Sequence, residues 1–265
     1  MFVSSELVPY LPENPVSKMS YEAPRMVNSK GGQIRIFMPR YGNINERRHQ
    51  LHEVIRLSGM NLVINDMDMP LIIKVASIPK ERIQVYFIDN EEYFKRKATF
   101  TDEDGALFPD NDERAIFFAK GVVETVKKLN WSPDIIHIHG WMGSLLPIYL
   151  REYYADEPLF ADSKIVTSLY GRDFEGALSE HMGEKIAFDQ IPADRIEKLS
   201  PPTYNNLLKI AVDYSDAVIL AAEDIPEELQ QYVAGQDKPV LPYVDFPEFE
   251  EAYTQFYQAE VLKEE

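Results

Sequence analysis

Ser132-Pro133-Asp134-Ile135-Ile136-His137-Ile138-His139-Gly140-Trp141-Met142-Gly143 is the stretch on which the fold turns. Its segment Asp134 to His139 predicts a short buried strand that breaks at Gly140 and runs into a helix from near Trp141 to about Tyr154. A strand whose carboxyl end turns directly into a helix is where open α/β sheets take their ligands. The helix amino terminus offers free N–H groups and the positive end of a dipole there. The expectation is a ligand crevice above Gly140, roofed by Trp141.

Upstream the same alternation repeats. Met1 to Ser5 reads as the end of a first strand, followed by a proline-rich loop from Pro9 to Pro15. Ser17 is placed to cap a helix to about Ser29, with Met19, Ala23, Met26 and Val27 on one face. Gly31-Gly32 stops that helix, and Gln33 to Met38 is a strand closing at Pro39. The three elements make a βαβ unit, parallel and right-handed by default. Next comes the most basic loop of the chain, Arg40-Tyr41-Gly42-Asn43-Ile44-Asn45-Glu46-Arg47-Arg48, on the same rim as Gly140. Arg40, Arg47 and Arg48 could hold a phosphate or sugar-linked anion there, or pair with neighbouring acids, the commoner fate of a surface arginine.

Met60–Ile64, Leu71–Ile78 and Ile83–Ile88, with a turn at Asn65–Asp68, read as an antiparallel meander. Asp110-Asn111-Asp112 opens a long helix to about Leu129, turning Ala115, Ile116, Ala119, Val122, Val123 and Val126 inward. Beyond the central stretch, Lys164–Leu169 is a buried strand and Phe174–Ser200 a polar, loop-rich flap over the site. A helix at Tyr204–Asp213, a strand at Ala217–Leu220 and a helix at Ile225–Val233 follow. Residues 1–240 thus read as one α/β domain, a doubly wound, mostly parallel sheet with a small antiparallel meander. Residues 241–265 read as an acidic, aromatic carboxyl-terminal helix or tail that packs back on the domain or toward a partner.

Composition narrows the function. With 45% hydrophobic and 27% charged residues the chain is an ordinary globular one, and no apolar run approaches the roughly 20 residues that span a bilayer. Met1 to Glu6 lacks the pattern of a secretory signal, and without cysteine there is no disulfide framework or thiolate metal site, so a cytoplasmic address fits. The net charge of −17 argues against nucleic acid, which needs a basic face, and an anionic substrate would need a local basic pocket.

His137 and His139, two apart on a strand, share one face. A metal pair is conceivable, but no third ligand of suitable spacing is apparent. His139, at the strand end, is expected to open toward the crevice and is a candidate substrate contact, whereas His137 fits a hydrogen-bonded core histidine. His49 and His52 fit a solvated helix face. No Gly-x-Gly-x-x-Gly follows the first strand, Lys30-Gly31-Gly32 precedes a strand and so reads as a helix stop, and no nucleophile elbow is present. Residue chemistry alone reaches a small-molecule-binding α/β domain.

Several segments together resemble one family, the amino-terminal domain of bacterial glycogen and plant starch synthases. They are Val3–Tyr10, Ile36-Phe37-Met38-Pro39-Arg40-Tyr41-Gly42, Val85–Asn90 with Tyr93-Phe94, Asp110–Arg114, Asp134–Trp141 and Asp216-Ala217-Val218. The resemblance implies the Rossmann-like amino-terminal half of a GT-B glycosyltransferase, retaining and ADP-glucose-dependent, acting on an α-1,4-glucan and needing no metal or cofactor. It implies a site from Arg40, Tyr41, His139, Gly140, Trp141, Tyr170 and Gly171, with Trp141 and Tyr170 as stacking faces for glucose.

The chain departs from the family at several of those positions. The family's Lys-x-Gly-Gly-Leu loop, which meets the donor, aligns with Pro12-Glu13-Asn14-Pro15-Val16. Gly140 stands for its aspartate, Met142 for a polar residue, Tyr170-Gly171 for its His-Asn pair and Ala222-Glu223 for its Ser-Pro. The family's second domain, which holds the nucleotide and a catalytic glutamate pair, has no counterpart here, so no catalytic residue is assigned. The expectation is a glucosyltransferase domain that binds α-glucan, ADP-glucose or both and works with a separate nucleotide-binding domain protein. The alternative is an inactive glucan- or nucleotide-binding regulatory module that keeps the fold.

Overall fold

The sheet grows in two directions from β1 (Phe2–Ser4), which pairs in parallel with β2 (Arg35–Pro39) on one side and β7 (Ile135–His139) on the other. The computed structural model describes residues 1–263, so Glu264 and Glu265 of the predicted tail lie outside the described residues. Outward from β2 come β6 (Gln84–Asp89), parallel, and then β5 (Met67–Ser77), antiparallel, which also carries β3 (His52–Glu53) and β4 (Met60–Ile64). Outward from β7 come β8 (Lys164–Leu169), β9 (Ala217–Leu220) and β10 (Val240–Leu241), all parallel. The order is β10-β9-β8-β7-β1-β2-β6-β5-β3, with β4 on β5. Chain direction across the sheet reverses between β1 and β7, the switch point where doubly wound folds open a crevice.

Helix α1 (Pro15–Ser29) joins β1 to β2, and the short α2 (Glu46–His49) follows β2. The true cap of α1 is Asn14, not Ser17: Asn14 Oδ1 accepts the Ser17 N–H at 2.8 Å, and Ser17 Oγ accepts the Asn14 N–H at 2.9 Å. That reciprocal box satisfies two otherwise free donors and starts the helix earlier than a serine cap would. His49 and His52 do not share a helix face. Gln50, in the left-handed region at φ 55°, ends α2, so His52 opens β3, while His49 meets the Tyr10 ring edge-on at 4.9 Å.

After α3 (Glu91–Phe94), the long α4 (Asn111–Leu129) is buried almost all round, with Ala115, Ile116, Phe117, Phe118, Ala119, Val122 and Val123 fully enclosed. Asp110 makes no side-chain cap; its carboxylate instead takes the Arg96 guanidinium at 2.6 Å. The predicted helix after Gly140 is a tight 3₁₀ turn at Trp141–Gly143, one α-turn at α5 (Leu146–Ile148), and wider π-wound turns at Tyr149–Tyr153. The remaining helices are α6 (Met182–Ala187), α7 (Tyr204–Asp213), α8 (Glu227–Ala234) and α9 (Phe249–Gln255). Pro226 holds the cap position of α8, delaying that helix by two residues.

Helix α1 and the tail pack together, as do α4, α5 and α7 around the 3₁₀ turn, so the sheet is sandwiched between them. One polar cluster joins the second layer. Lys120 of α4 donates to Asp189 Oδ1 at 2.6 Å and to the Val63 carbonyl at 2.7 Å, and Tyr149 donates to Asp189 Oδ2 at 2.7 Å. The tail reaches the core as well: Phe249, Tyr253, Phe256, Tyr257 and Val261 are buried, and Arg25 of α1 meets Glu250 at 2.9 Å.

Candidate functional site

At the switch point the rim is closed by the chain itself. Gly140 sits at φ 82°, ψ 162°, a conformation open to glycine. That turn brings the Met142 N–H to Ser5 Oγ at 2.9 Å, so the donor expected to face a ligand is already satisfied by a side chain. A Cβ on Gly140 would lie 2.5 Å from Ser5 Oγ and 3.2 Å from a Val16 methyl. The crevice predicted above Gly140 is filled by Ser5 and Val16.

Trp141 does not roof it. The indole is 1% exposed, with Phe100 edge-on at 5.6 Å and Phe174 at 5.1 Å. The flap expected over 174–200 therefore covers the tryptophan rather than a ligand. Tyr170 is equally buried, and its hydroxyl lies 2.6 Å from His139 Nδ1. Neither ring offers a stacking face to a sugar.

His139 does not open toward solvent. It is fully buried beside Phe2, its Nε2 has no partner among the described residues, and burial lowers its pKa to about 3. His137 is the hydrogen-bonded core histidine that its position suggests. Its Nδ1 meets the Tyr257 hydroxyl at 2.6 Å, its Nε2 meets Ser168 Oγ at 2.7 Å, and burial, then the His139 ring, push its pKa well down. The two rings lie 4.0 Å apart, both held neutral by burial, so the pair is a packed, uncharged seam. Among the described residues no three histidines or carboxylates converge as metal ligands.

Arg40 leaves β2 at the rim but is held by acids. Its Nε lies 3.0 Å from Asp89 and 3.4 Å from Glu46, and Lys74 meets the same two carboxylates at 3.2 and 2.7 Å. Tyr41 is 1% exposed, with the Phe94 ring edge-on at 5.9 Å and the buried Arg114 guanidinium 5.7 Å from its centroid. Gly171 remains partly accessible; its carbonyl accepts the Tyr204 hydroxyl at 2.8 Å, and a Cβ there would lie 2.5 Å from Asp224.

Asp173 lies two residues past Gly171, and a Gly171 Cβ would meet the Asp224 carboxylate at 2.5 Å; Glu6 is near enough to raise the Asp173 pKa, and the sequence reading passed over all three. Burial, then the charges of Glu6 and Asp224, raise the pKa of Asp173 to about 7. Burial also raises that of Glu6, opposed by a hydrogen bond from Asn14 Nδ2. Each acid lies a few residues past the carboxyl end of β1, β8 or β9, so the rim position was readable; that their charges act on one another was not.

The sign of that shift gives a test. The folded chain holds the Asp173 proton up to about 7 against 3.8 for a free carboxyl, so stability falls as pH rises through that window. Asp173→Asn is expected to be more stable than the unaltered chain at about pH 8, and to lose that advantage as pH drops toward about 5. Urea midpoints at both pH values measure it. A gap that stays constant with pH would mean that Asp173 is not an unpaired acid among acids.

Comparison with known proteins shows the family to which the chain is similar. The family model described as the starch synthase catalytic domain matches residues 1–239. The chain is 34% identical over 249 residues to a glycogen synthase of Chlorobium luteolum, covering 89% of this chain and 50% of that protein. It is 37% identical over 192 residues to a glycogen synthase of Chlorobium limicola, covering 72% of this chain and 39% of that one. A similar solved structure is the catalytic domain of starch synthase IV from Arabidopsis thaliana bound to ADP and acarbose, with a TM-score of 0.67, 16% identity, and coverage of 82% of this chain and 43% of that chain. This chain spans half or less of the length of these proteins. Among the described residues no helix is long and apolar enough to cross a membrane.

Proposed function

The chain belongs to the starch synthase catalytic domain family, and from that premise we propose that it is the glucan-side half of a glycogen- or starch-synthase-type glucosyltransferase. It holds the α-1,4-glucan that receives glucose from ADP-glucose, while a nucleotide-binding domain outside residues 1–265 holds the nucleotide. It transfers nothing by itself.

One observation carries this reading. Where a diphosphate would approach the rim, the chain presents Glu6, Asp173 and Asp224, and Arg40 is already paired with Asp89 and Glu46. Departure of a nucleoside diphosphate from the sugar needs cationic or N–H stabilisation at that oxygen. The family's lysine-bearing first loop is Pro12-Glu13-Asn14-Pro15-Val16 here, and Asn14 is turned inward as the cap of α1. A neutral polyol is not repelled by these acids, since carboxylates accept hydrogen bonds from sugar hydroxyls. The same observation supports a second reading, a glucan-binding regulatory module with no catalytic partner.

The purified chain is expected to be retarded in native gels containing glycogen. It should release no heat on titration with ADP-glucose and incorporate no labelled glucose into glycogen. Incorporation by the chain alone, or indifference to glycogen, overturns the proposal.

A further inference from the structure

The sheet leaves an edge open at the end opposite the meander. There β10 is the last strand, and it pairs with β9 alone among the described residues. The Val218 N–H donates to the Pro239 carbonyl at 3.0 Å. Successive backbone groups of a strand face opposite sides, so the Val240 N–H and C=O point away from β9. No backbone group among the described residues pairs with either. Pro242, next in that phase, has no N–H, so the edge offers one complete donor–acceptor pair and suits a short added strand.

Beside this edge lies an open groove of about 560 Å³. Its far wall is the tail: Ala252 of α9, then Phe256 and Ala259 of the π-wound turns Phe256–Leu262 that continue it. These three are four and three positions apart, one face of a helix, and the two alanines leave space on either side of the phenyl ring. Val240, Leu241 and Ala252 are half-buried and Ala259 is exposed, so solvent reaches both walls. A free strand edge facing a helix across a gap is where an extended peptide can add to a sheet. Main-chain bonds then give affinity, and alternate side chains give specificity.

Charge selects the occupant. Glu260 is the one charged side chain lining the groove among the described residues, and Gln255, in the same wall, donates to Glu251 at 3.0 Å. Lys238, just before β10, is turned away, with its Nζ on the carbonyls of Val212 at 2.5 Å and Ser215 at 2.8 Å. We infer that this groove docks an extended segment of a partner polypeptide with alternating apolar and basic side chains. One residue of that segment exchanges both backbone hydrogen bonds with Val240. Its apolar side chains lie over Ala252 and Ala259, and a lysine or arginine reaches Glu260. A second copy of this chain is disfavoured there, since it brings the same Glu260 and a net charge of −17. Docking here requires no glucan, so it holds or fails apart from the function proposed above.

The test uses the full chain and three fluorescein-labelled synthetic octapeptides. The first alternates valine and lysine, the second alternates valine and glutamate, and the third is the first with its central valines N-methylated on the backbone. Fluorescence anisotropy should show saturable binding of the valine–lysine peptide, with affinity about tenfold or more lower for each of the other two. In the ¹⁵N-labelled chain the same peptide should shift the Val240 and Leu241 amides and the Gln255 side-chain amide. Ala259→Trp, at an exposed position, fills the groove and should weaken binding about fivefold or more, with an unchanged melting temperature. Binding that N-methylation and Ala259→Trp both leave intact is attraction to the acidic chain at large and overturns the proposal, as does no binding at all. A chain that sediments as a dimer, with its Val240 amide already protected from exchange, puts a second copy on the edge and overturns it too.

Discussion

Lys120→Ala is expected to cost about 3–5 kcal/mol of stability, measured as a fall in the urea midpoint. Lys120 and Asp189 are an ion pair 2.6 Å long whose side chains are 4% and 6% exposed. Removing the ammonium leaves the Asp189 charge buried with, among the described residues, the Tyr149 hydroxyl as its remaining side-chain partner, and it also removes the Lys120 hydrogen bond to the Val63 carbonyl. The loss comes from the group left behind more than from the bond removed, because breaking one side of a buried pair strands the other. Lys120→Met with Asp189→Leu, which removes both charges, should therefore recover a large part of it. A single Lys120→Ala variant within about 1 kcal/mol of the unaltered chain would show that water reaches Asp189 and that the pair does not join the layers.

Gly140→Ala is the second large effect, a loss of about 3 kcal/mol. Two penalties add at this position. The backbone at φ 82°, ψ 162° is one that an L side chain resists, and the new Cβ would lie 2.5 Å from Ser5 Oγ. Ser5→Gly in the same chain would relieve the collision but not the backbone strain, and it would also free the Met142 N–H. Partial rescue at most is expected. Gly140→Asp, which restores the residue of the resembling family, should destabilise the chain in the same way and confer no glucose transfer. Full stability in Gly140→Ala would mean that the rim at this point is loose enough to admit a ligand after all.

Much of the fold could be read along the chain because the deciding signals were local. Lys164–Leu169, Tyr204–Asp213 and Ala217–Leu220 match the observed β8, α7 and β9 residue for residue: the two strands are short apolar-rich runs opening after Asp162-Ser163 and Ser215-Asp216, and the helix is an amphipathic stretch behind Pro201-Pro202-Thr203. The βαβ opening and the antiparallel meander were legible in order and type, although β5 starts at Met67, inside the turn expected at Asn65–Asp68 and ahead of the strand expected from Leu71. Helix starts were less so. A cap depends on which side chain reaches back, which is why Asn14 displaced Ser17, and the left-handed Gln50 split His49 from His52.

The site was legible only as a location. Strand ends named the rim and its first residues, Arg40, His139, Gly140, Tyr170 and Gly171, but which of them face solvent depends on partners remote in sequence. Ser5 reaches Met142 across 137 positions, and Tyr257 reaches His137 across 120. An indole after a strand end reads as a lid until Phe100 and Phe174 are seen to enclose it.

Order and type of the strands and helices and the direction of the sheet follow from apolar spacing and breakers, which act within a few residues; the family was reached by the resemblance of several short segments. Packing alone decided that the switch point is closed, that His139 and Trp141 belong to the core, and that Asp224 lies against Gly171. Burial and the meeting of charges are properties of surfaces in contact, and no window of the chain contains both surfaces.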